Sequence, residues 1–182
     1  MSDSIHITLG VTGCIAAYKA ADLTSKLTAA GFTVHVVMTE SATQLVTPRT
    51  FQTLSRQAVT TSLWEVNDWK PGHVDLGVLS KLLVIAPCTA NMLAKLAHGI
   101  ADDALSTCAL ANTGELLVAP AMNPAMWNNP AVQENVEILR RRKVHIVGPA
   151  AGRVACGADG TGRMCEVAEI MAKIYEILEI KQ

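Results

Sequence analysis

The chain has 182 residues and a formal net charge of −1; half of its residues are apolar and only 17% are charged. The near-neutral charge excludes the basic footprint of a nucleic-acid-binding protein, and no apolar run is long enough to span a bilayer. High apolar content with few aromatic residues is typical of a parallel sheet buried on both faces or of apolar subunit interfaces, and we expect both.

Strand and helix patterns alternate along the chain. The predicted strands cover residues 5–9, 33–38, 82–86, 116–119 and 144–147. The predicted helices cover residues 14–30, 41–46, 50–57, 89–97, 102–112, 130–142 and 166–180. This alternation predicts an α/β fold, namely a Rossmann-like (flavodoxin-like) open parallel sheet with helices on both faces. We expect a single domain over residues 1–182.

One glycine-rich segment interrupts the alternation. Residues 152–164 contain four glycines, two arginines and one cysteine, with neither helical nor strand periodicity. Segments of this kind are lids, binding loops or disordered stretches. Because a strong helix pattern follows directly, we expect an irregular lid at about residues 150–165 that closes over a ligand.

The cysteines indicate the redox environment. There are five of them, an odd number, and they are scattered without any CxxC pair. This pattern favours reduced thiols over a disulfide framework or a zinc site. Residues 1–5 also lack the basic region and apolar stretch of a signal peptide. We therefore expect a cytoplasmic protein with no metal site and no membrane segment.

In an open parallel sheet, ligands bind beyond the carboxyl ends of the strands, so the residues after each strand are the candidates. The first strand is followed by GVTGCI, which is not the GxGxxG fingerprint. It is a glycine turn that opens a helix, where free N–H groups attract a phosphate; a plain tight turn is equally compatible. After the second strand, Thr39 and Ser41 can cap a helix or contact a phosphate, and local pattern favours capping.

Two asparagines follow later strands. Asn91 lies in the first turn of a helix that Thr89 is predicted to cap. It is either an ordinary exposed residue or a residue whose amide hydrogen-bonds to the polar edge of a planar ring. Asn123 lies at the carboxyl edge of the sheet beside the apolar Met126 and Trp127. A single amide in an apolar pocket suits a carboxylate or an amide on a ligand, although Asn before Pro is also ordinary turn chemistry.

One histidine is a candidate base. His73 lies in a proline-glycine loop that leads into a short helix, where an imidazole is free to accept a proton. The other four lie in or beside regular elements and carry no functional signal: His6, His35, His98 and His145.

Taken together, these motifs resemble one family, the homo-oligomeric flavin-containing cysteine decarboxylases. The matching segments, in family order, are GVTG at 10–13, the isolated His73, APCTAN at 86–91, GIAD at 99–102, PAMNPAMW at 120–127, and ACG at 155–157 through GRM at 162–164. The resemblance covers almost the whole chain. The family includes the phosphopantothenoylcysteine decarboxylases of coenzyme A synthesis and the enzymes that modify lantibiotic peptides.

The resemblance implies FMN as the cofactor, bound between the subunits of a homotrimer or homododecamer. The implied FMN contacts are Gly13, Cys14, Ile15, Thr39, Ser41, Thr89, Ala90, Asn91, Met92 and Ala121. The implied substrate contacts are Asn123, Met126, Ala155, Gly157 and Arg163.

Three catalytic residues are also implied by the resemblance: His73 as the base, Asn123 as the ligand of the substrate carboxylate, and Cys156 as the late proton donor. In the implied route, oxidation of the thiol side gives a thioaldehyde, which is the electron sink for CO₂ loss. The enethiol that remains is then reduced and protonated. A complete Cys156 motif favours phosphopantothenoylcysteine as substrate, since lantibiotic enzymes stop at the enethiol. Cys165 is a second thiol near the lid.

Three other functions stay open at this point. A peptidyl-cysteine (lantibiotic-type) decarboxylase shares most of the motifs, and a UbiX-like flavin prenyltransferase shares the fold but does not need Cys156. A non-enzymatic regulatory paralogue is expected to lose His73 or Asn123, and both are present. Bacterial members are usually fused to a phosphopantothenate–cysteine ligase. Because this chain ends at Gln182, we expect that ligase to be a separate protein.

Overall fold

The computed structural model describes residues 4–64, 72–153, 157 and 159–180, without the side chains of residues 72–75. Its main sheet contains β1 (His6–Val11), β2 (Thr33–Met38), β3 (Val59–Thr60), β4 (Leu82–Cys88), β5 (Glu115–Pro120) and β6 (His145–Ile146). A separate hairpin contains β7 (Ala150–Arg153) and β8 (Asp159–Arg163). The helices are α1 (Ala17–Ala29), α2 (Glu40–Thr43), α3 (Pro48–Ser55), α4 (Gly72–Leu79), α5 (Ala90–His98), α6 (Ala104–Ala111), α7 (Pro124–Trp127), α8 (Pro130–Arg141) and α9 (Val167–Ile177).

The order of the strands confirms the predicted α/β fold. All strand pairs of the main sheet are parallel, and the order is β3-β2-β1-β4-β5-β6. This is the doubly wound Rossmann order, in which the chain direction across the sheet reverses between β1 and β4. The crevice at this reversal, beyond the carboxyl ends of β1 and β4, is where such sheets bind ligands.

Helices cover both faces of the sheet, as predicted. On one face, α1, α3 and α9 pack on alternate residues of the central strands, such as Ile7 and Leu9 of β1. On the other face, α5, α6 and α8 pack on residues such as Leu83 and Ile85 of β4. Burial of each such side chain stabilises the fold by about 1.5–3 kcal/mol. Within the described residues, no helix is long and apolar enough to cross a membrane.

Strand β4 is longer than predicted. The prediction ended it at residue 86 because proline lacks the N–H that a central ladder requires. In the structure the strand continues through Pro87, which follows a cis peptide bond, to Cys88. Pairing with β5 shifts register between Ile85 and Cys88, and such an irregularity is a place where a sheet tolerates proline. The turn after β4 therefore begins two residues later than predicted.

The expected irregular lid is a β-hairpin, so this part of the prediction was wrong. Strand β7 pairs antiparallel with β8, with Gly152 opposite Gly160. Glycine is disfavoured in strands, which is why no strand pattern was visible. The hairpin also contacts the chain after β5, where the N–H of Met122 donates to the carbonyl of Gly162 over 2.8 Å.

His6 and His35, to which the sequence assigned no role, lie together on neighbouring strands. Nδ1 of His6 and Nε2 of His35 are 3.0 Å apart, and the rings stack with centroids separated by 5.3 Å. Burial, and then the charge of His6, lower the pKa of His35. The fold therefore favours a neutral His35.

We expect acidification to destabilise the protein through His35. Its pKa is lower in the folded chain than in the unfolded chain, so this contribution to stability is present above the ordinary histidine pKa of about 6.5 and is lost as the pH falls below it. Between about pH 8 and about pH 5, the melting temperature should fall less in His35→Gln than in the wild type. Equal falls in both proteins would contradict this assignment.

Candidate functional site

A buried threonine joins the two turns at the reversal point of the sheet. The hydroxyl of Thr12, after β1, donates to the carbonyl of Pro87 over 2.7 Å and accepts from the N–H of Thr89 over 3.2 Å. Sequence analysis gave Thr12 no role. Its position at the end of a buried strand, inside the GVTG motif, is the feature of the sequence that could have identified Thr12 as part of the site. The bridge fixes the start of α1 relative to the start of α5.

The first cavity opens at these turns, and we name it the strand-end cavity. Its volume is about 480 Å³. It brings together seven of the ten predicted FMN contacts and the predicted substrate contact Met126. Those seven are Gly13, Thr39, Ser41, Thr89, Ala90, Asn91 and Met92.

The two threonines of this cavity are helix caps, as their local sequence predicts. The hydroxyl of Thr39 accepts from the N–H of Ala42, and that of Thr89 accepts from the N–H of Met92, each over 3.3 Å. Capping uses their oxygens and still leaves both residues on the cavity wall. Asn91 is exposed and lines the cavity, so its amide is available to a ligand there.

The turn between β1 and α1, which was predicted to bind a phosphate, closely approaches the start of α2. A Cβ at Gly13 would lie 2.4 Å from Cβ of Ser41, so only glycine allows this close approach to the start of α2. The N–H of Gly13 has no acceptor among the described residues, whereas the N–H groups of Ile15 and Ala16 donate to the thiol of Cys14. An N–H in a glycine turn before a helix suits a phosphate, and phosphate binding at this turn stays a prediction.

The strand-end cavity also contains a charged cluster. Lys95 pairs with Asp102 and Asp103 over 2.5 and 2.6 Å. Burial acts to lower the pKa of Lys95, but hydrogen bonds to the two carboxylates outweigh it and raise that pKa. The hydrogen bond from Lys95 lowers the pKa of Asp102. Lys95 and Asp102 are thus ionised near neutral pH, and Lys95 is already shared between two carboxylates.

The second cavity lies beside the first, under the hairpin, and we name it the hairpin cavity. Its volume is about 610 Å³. It is lined by Cys14, Ile15, Ala16, Tyr18, Lys19, Ala121, Met122, Asn123, Arg153, Gly162, Arg163 and Met164. The other three predicted FMN contacts, Cys14, Ile15 and Ala121, lie here. The predicted contacts are therefore divided between two cavities that share the turn of residues 12–16.

Asn123 is half-buried in the hairpin cavity. Its Oδ1 accepts from the N–H of Ala125 over 2.8 Å and so caps α7, which fixes the carboxamide in one orientation. In that orientation Nδ2 is the group suited to donate to a carboxylate. The hairpin packs closely against the chain at Met122 and Asn123, since a Cβ at Gly162 would lie 2.4 Å from the carbonyl oxygen of Met122.

A family profile described as Flavoprotein matches residues 1–179. The chain belongs to the flavoprotein family. It is 45% identical over 177 residues to the coenzyme A biosynthesis bifunctional protein CoaBC of Bacillus subtilis, covering 97% of this chain and 43% of that protein. The flavoprotein thus spans less than half the length of the bifunctional relatives that it matches.

Two further relatives match over nearly their full length. A probable phosphopantothenoylcysteine decarboxylase of Streptococcus mutans is 40% identical over 175 residues, covering 94% of this flavoprotein and 98% of that protein. A solved structure of a PPC decarboxylase mutant complexed with pantothenoylaminoethenethiol superposes with a TM-score of 0.85 at 30% identity, covering 97% of this chain and 99% of that one.

Some predicted site residues of the flavoprotein lie outside the described residues. These are Ala155 and Cys156 and the side chain of His73. The backbone of His73 lies in the first turn of α4, not in a loop as predicted, since the helix begins at Gly72. Helix α4 packs against α6, and its Leu76 joins the apolar layer on the face opposite α1. Gly157 is exposed and lines neither cavity.

Cys165, the second thiol near the hairpin, is 1% exposed and lines neither cavity. Its Sγ donates to the carbonyl of Val147 over 3.7 Å. Burial, followed by the charge of Glu169, raises the pKa of Cys165 to about 11. The structure therefore gives Cys165 neither access to a ligand nor unusual acidity.

Proposed function

We propose that this flavoprotein is an FMN-dependent decarboxylase that converts phosphopantothenoylcysteine to phosphopantetheine in coenzyme A biosynthesis. The observation that carries the proposal is the adjacency of the two cavities, with a tight glycine turn at Gly13 in one and an oriented amide at Asn123 in the other. The full-length match to a probable decarboxylase of this substrate supports it.

FMN fits the residues that are present. The N–H of Gly13 and the hydroxyl of Ser41 suit its phosphate, and the start of α5 with Asn91 suits its ring. When bound, FMN supplies the two-electron oxidation and reduction that cysteine side chains lack.

The chain's own residues orient the substrate and move its protons. Asn123 holds the cysteine carboxylate through Nδ2. His73 accepts a proton as the thiol side of the substrate becomes a thioaldehyde. The carboxylate is then β to a C=S group, so CO₂ leaves with the bonding electrons delocalised onto sulfur. Cys156 returns a proton to carbon when the enethiol is reduced to the saturated thiol.

The location of α4 supports a shared site between subunits. Its backbone, which carries His73, lies on the sheet face opposite α1, whereas Asn123 lies in a cavity that α1 lines. Ile15 and Tyr18 line the same cavity and are 59% and 62% exposed. We propose that a second copy covers these apolar side chains and contributes its His73.

We expect the protein to be a homotrimer or a homododecamer. Apolar residues exposed beside a ligand cavity are destabilising in water, and association removes them from it. Light scattering of the flavin-loaded protein should give the mass of three chains or a multiple of three. A monomer that retains FMN would show that the site is complete within one chain.

The proposal also covers the source of the substrate and the cellular compartment of the reaction. The match to a bifunctional coenzyme A biosynthesis protein supports a phosphopantothenate–cysteine ligase as the activity that provides the substrate. We place the reaction in the cytoplasm, where the scattered cysteines stay reduced.

The decisive test is incubation of the purified protein with phosphopantothenoylcysteine, followed by mass spectrometry. The expected product has lost CO₂ and is otherwise saturated. A parallel incubation with a peptide ending in cysteine identifies a peptidyl-cysteine decarboxylase, if only the peptide loses CO₂. A third incubation with dimethylallyl phosphate and reduced FMN identifies a prenyltransferase. Turnover in either of those alone would refute the proposal.

We expect the wild type to purify yellow and Gly13→Ala to bind FMN at least about 10-fold more weakly. The new methyl group collides with Ser41, and overpacking of this kind costs about 1–3 kcal/mol. Visible absorbance after purification and titration of the flavin-free protein measure the loss. Ser25→Ala, at an exposed position on α1, is the control and should stay yellow. Normal FMN binding by Gly13→Ala would remove the turn from the cofactor site.

A further inference from the structure

The two cavities differ in charge. Among the described residues, the wall of the hairpin cavity contains three cations, Lys19, Arg153 and Arg163, and no carboxylate side chain. The wall of the strand-end cavity contains three carboxylates and one lysine. Because the chain as a whole has a net charge of −1, this concentration of cations is not a general property of the surface. An anion is therefore attracted to the hairpin cavity.

Two cations of the hairpin cavity, Lys19 and Arg163, share the carboxylate of Glu166. Nζ of Lys19, whose side chain is 14% exposed, donates to Oε2 of Glu166 over 3.0 Å, and Nη2 of Arg163 lies 3.4 Å from Oε1 of the same carboxylate. The hydrogen bond from Lys19 lowers the pKa of Glu166, which is therefore ionised near neutral pH. Arg153 has no ion pair with any described residue. Within the part of the chain that the structure describes, the three cations of this wall and the one carboxylate that pairs with them leave an excess of two positive charges.

We propose that Lys19, Arg153 and Arg163 form the subsite for the phosphate monoester of the substrate. The inference rests on the proposed function, which gives a substrate with a carboxylate at one end and a dianionic phosphate at the other. Two unbalanced positive charges match a phosphate dianion, and Asn123 on the same wall takes the carboxylate. Lys19 is the residue that the sequence did not single out.

The shape of the cavity agrees with this assignment. Apolar side chains, including those of Ile15, Met122 and Met164, line the wall that also holds Asn123 and the cations, which suits the uncharged middle of the substrate. The volume of about 610 Å³ lies in the range of pockets that enclose ligands of this size. Arg153 and Arg163 lie at the ends of β7 and β8, so phosphate binding also ties the hairpin to α1.

FMN also carries a phosphate monoester, which is the other ligand group that these three cations could bind. The N–H of Gly13 and the hydroxyl of Ser41 suit that phosphate in the neighbouring cavity, so the cations are left for the substrate. The test separates the two sources because FMN content is measured in every variant.

The experiment is calorimetric titration of the FMN-loaded protein with phosphopantothenate and, separately, with pantothenate. The wild type should bind phosphopantothenate at least about 10-fold more tightly. Lys19→Met should weaken phosphopantothenate binding by about 10- to 100-fold, the loss of one charge-assisted hydrogen bond, and leave pantothenate binding unchanged. Lys26→Met on the same helix, which removes an exposed pair with Asp22, is the matched control and should change neither.

A purely structural role for Lys19 gives a different result. If Lys19 only joined α1 to α9, Glu166→Gln would break the same contact and weaken binding equally. In the subsite, Glu166→Gln removes the competing carboxylate and should tighten phosphopantothenate binding. Weakening by Glu166→Gln, or loss of FMN from Lys19→Met with unchanged phosphopantothenate binding, overturns the assignment.

These titrations do not depend on turnover. If the protein binds phosphopantothenate through Lys19 but releases no CO₂, the phosphate subsite is supported and the proposed reaction is refuted. If it releases CO₂ but binds phosphopantothenate and pantothenate equally, the proposed reaction is supported and the phosphate subsite is refuted.

Discussion

His73→Asn should lower the rate of CO₂ release by about 10²- to 10⁴-fold, the usual cost of removing a general base, while FMN remains bound. Asparagine keeps a polar side chain in the first turn of α4 but cannot accept the proton that leaves the substrate during oxidation. The measurement is single-turnover release of CO₂ from phosphopantothenoylcysteine, with visible absorbance reporting flavin content.

The matched control for this prediction is His145→Asn. His145 pairs with Glu115 over 2.9 Å and lines neither cavity, so its loss should leave the rate near the wild-type value. A colourless His73→Asn protein would assign His73 to cofactor binding. Near-normal turnover with FMN bound would remove it from the mechanism.

Cys156→Ser should separate the two halves of the reaction. CO₂ loss depends on FMN, His73 and Asn123, all of which remain, whereas the final protonation needs an acid stronger than a serine hydroxyl. The variant should therefore release CO₂ and accumulate the enethiol, which is two hydrogens lighter than the normal product. Mass spectrometry of the product distinguishes the two compounds.

Cys165→Ser is the control for Cys156→Ser. The thiol of Cys165 is buried against Val147 with a raised pKa, so its removal should leave the saturated product unchanged. If Cys156→Ser makes the saturated product at a normal rate and Cys165→Ser does not, the roles of the two thiols are reversed.

Hydrophobic patterning predicted the main sheet, because the spacing of apolar residues and the length of each apolar run indicate which elements are buried. Residues 33–38 were predicted with the bounds that β2 has in the structure. The two residues of β3 were missed because so short a strand has no period. The hairpin was missed because its glycines are poor strand formers, and only its pairing and its contact with Met122 hold it in place.

The site was predicted in parts. Strand ends identified Gly13, Thr39, Thr89 and Asn123, because a parallel sheet brings those ends together. Which of these residues share a wall could not be predicted, since that depends on how side chains pack across the turn after β1. For the same reason Lys19, in the first turn of α1, gave no signal in the sequence and lies on the wall of the hairpin cavity in the structure.

The turn between β1 and α1 lines both cavities, and this has a thermodynamic consequence. Residues 12 and 13 face the strand-end cavity, and residues 14–16 face the hairpin cavity. Under the proposed function, the cofactor and the substrate therefore contact the same five-residue turn. A shift of this turn on binding of one ligand alters the wall that the other contacts, and linkage requires any coupling between the two affinities to be the same in both directions.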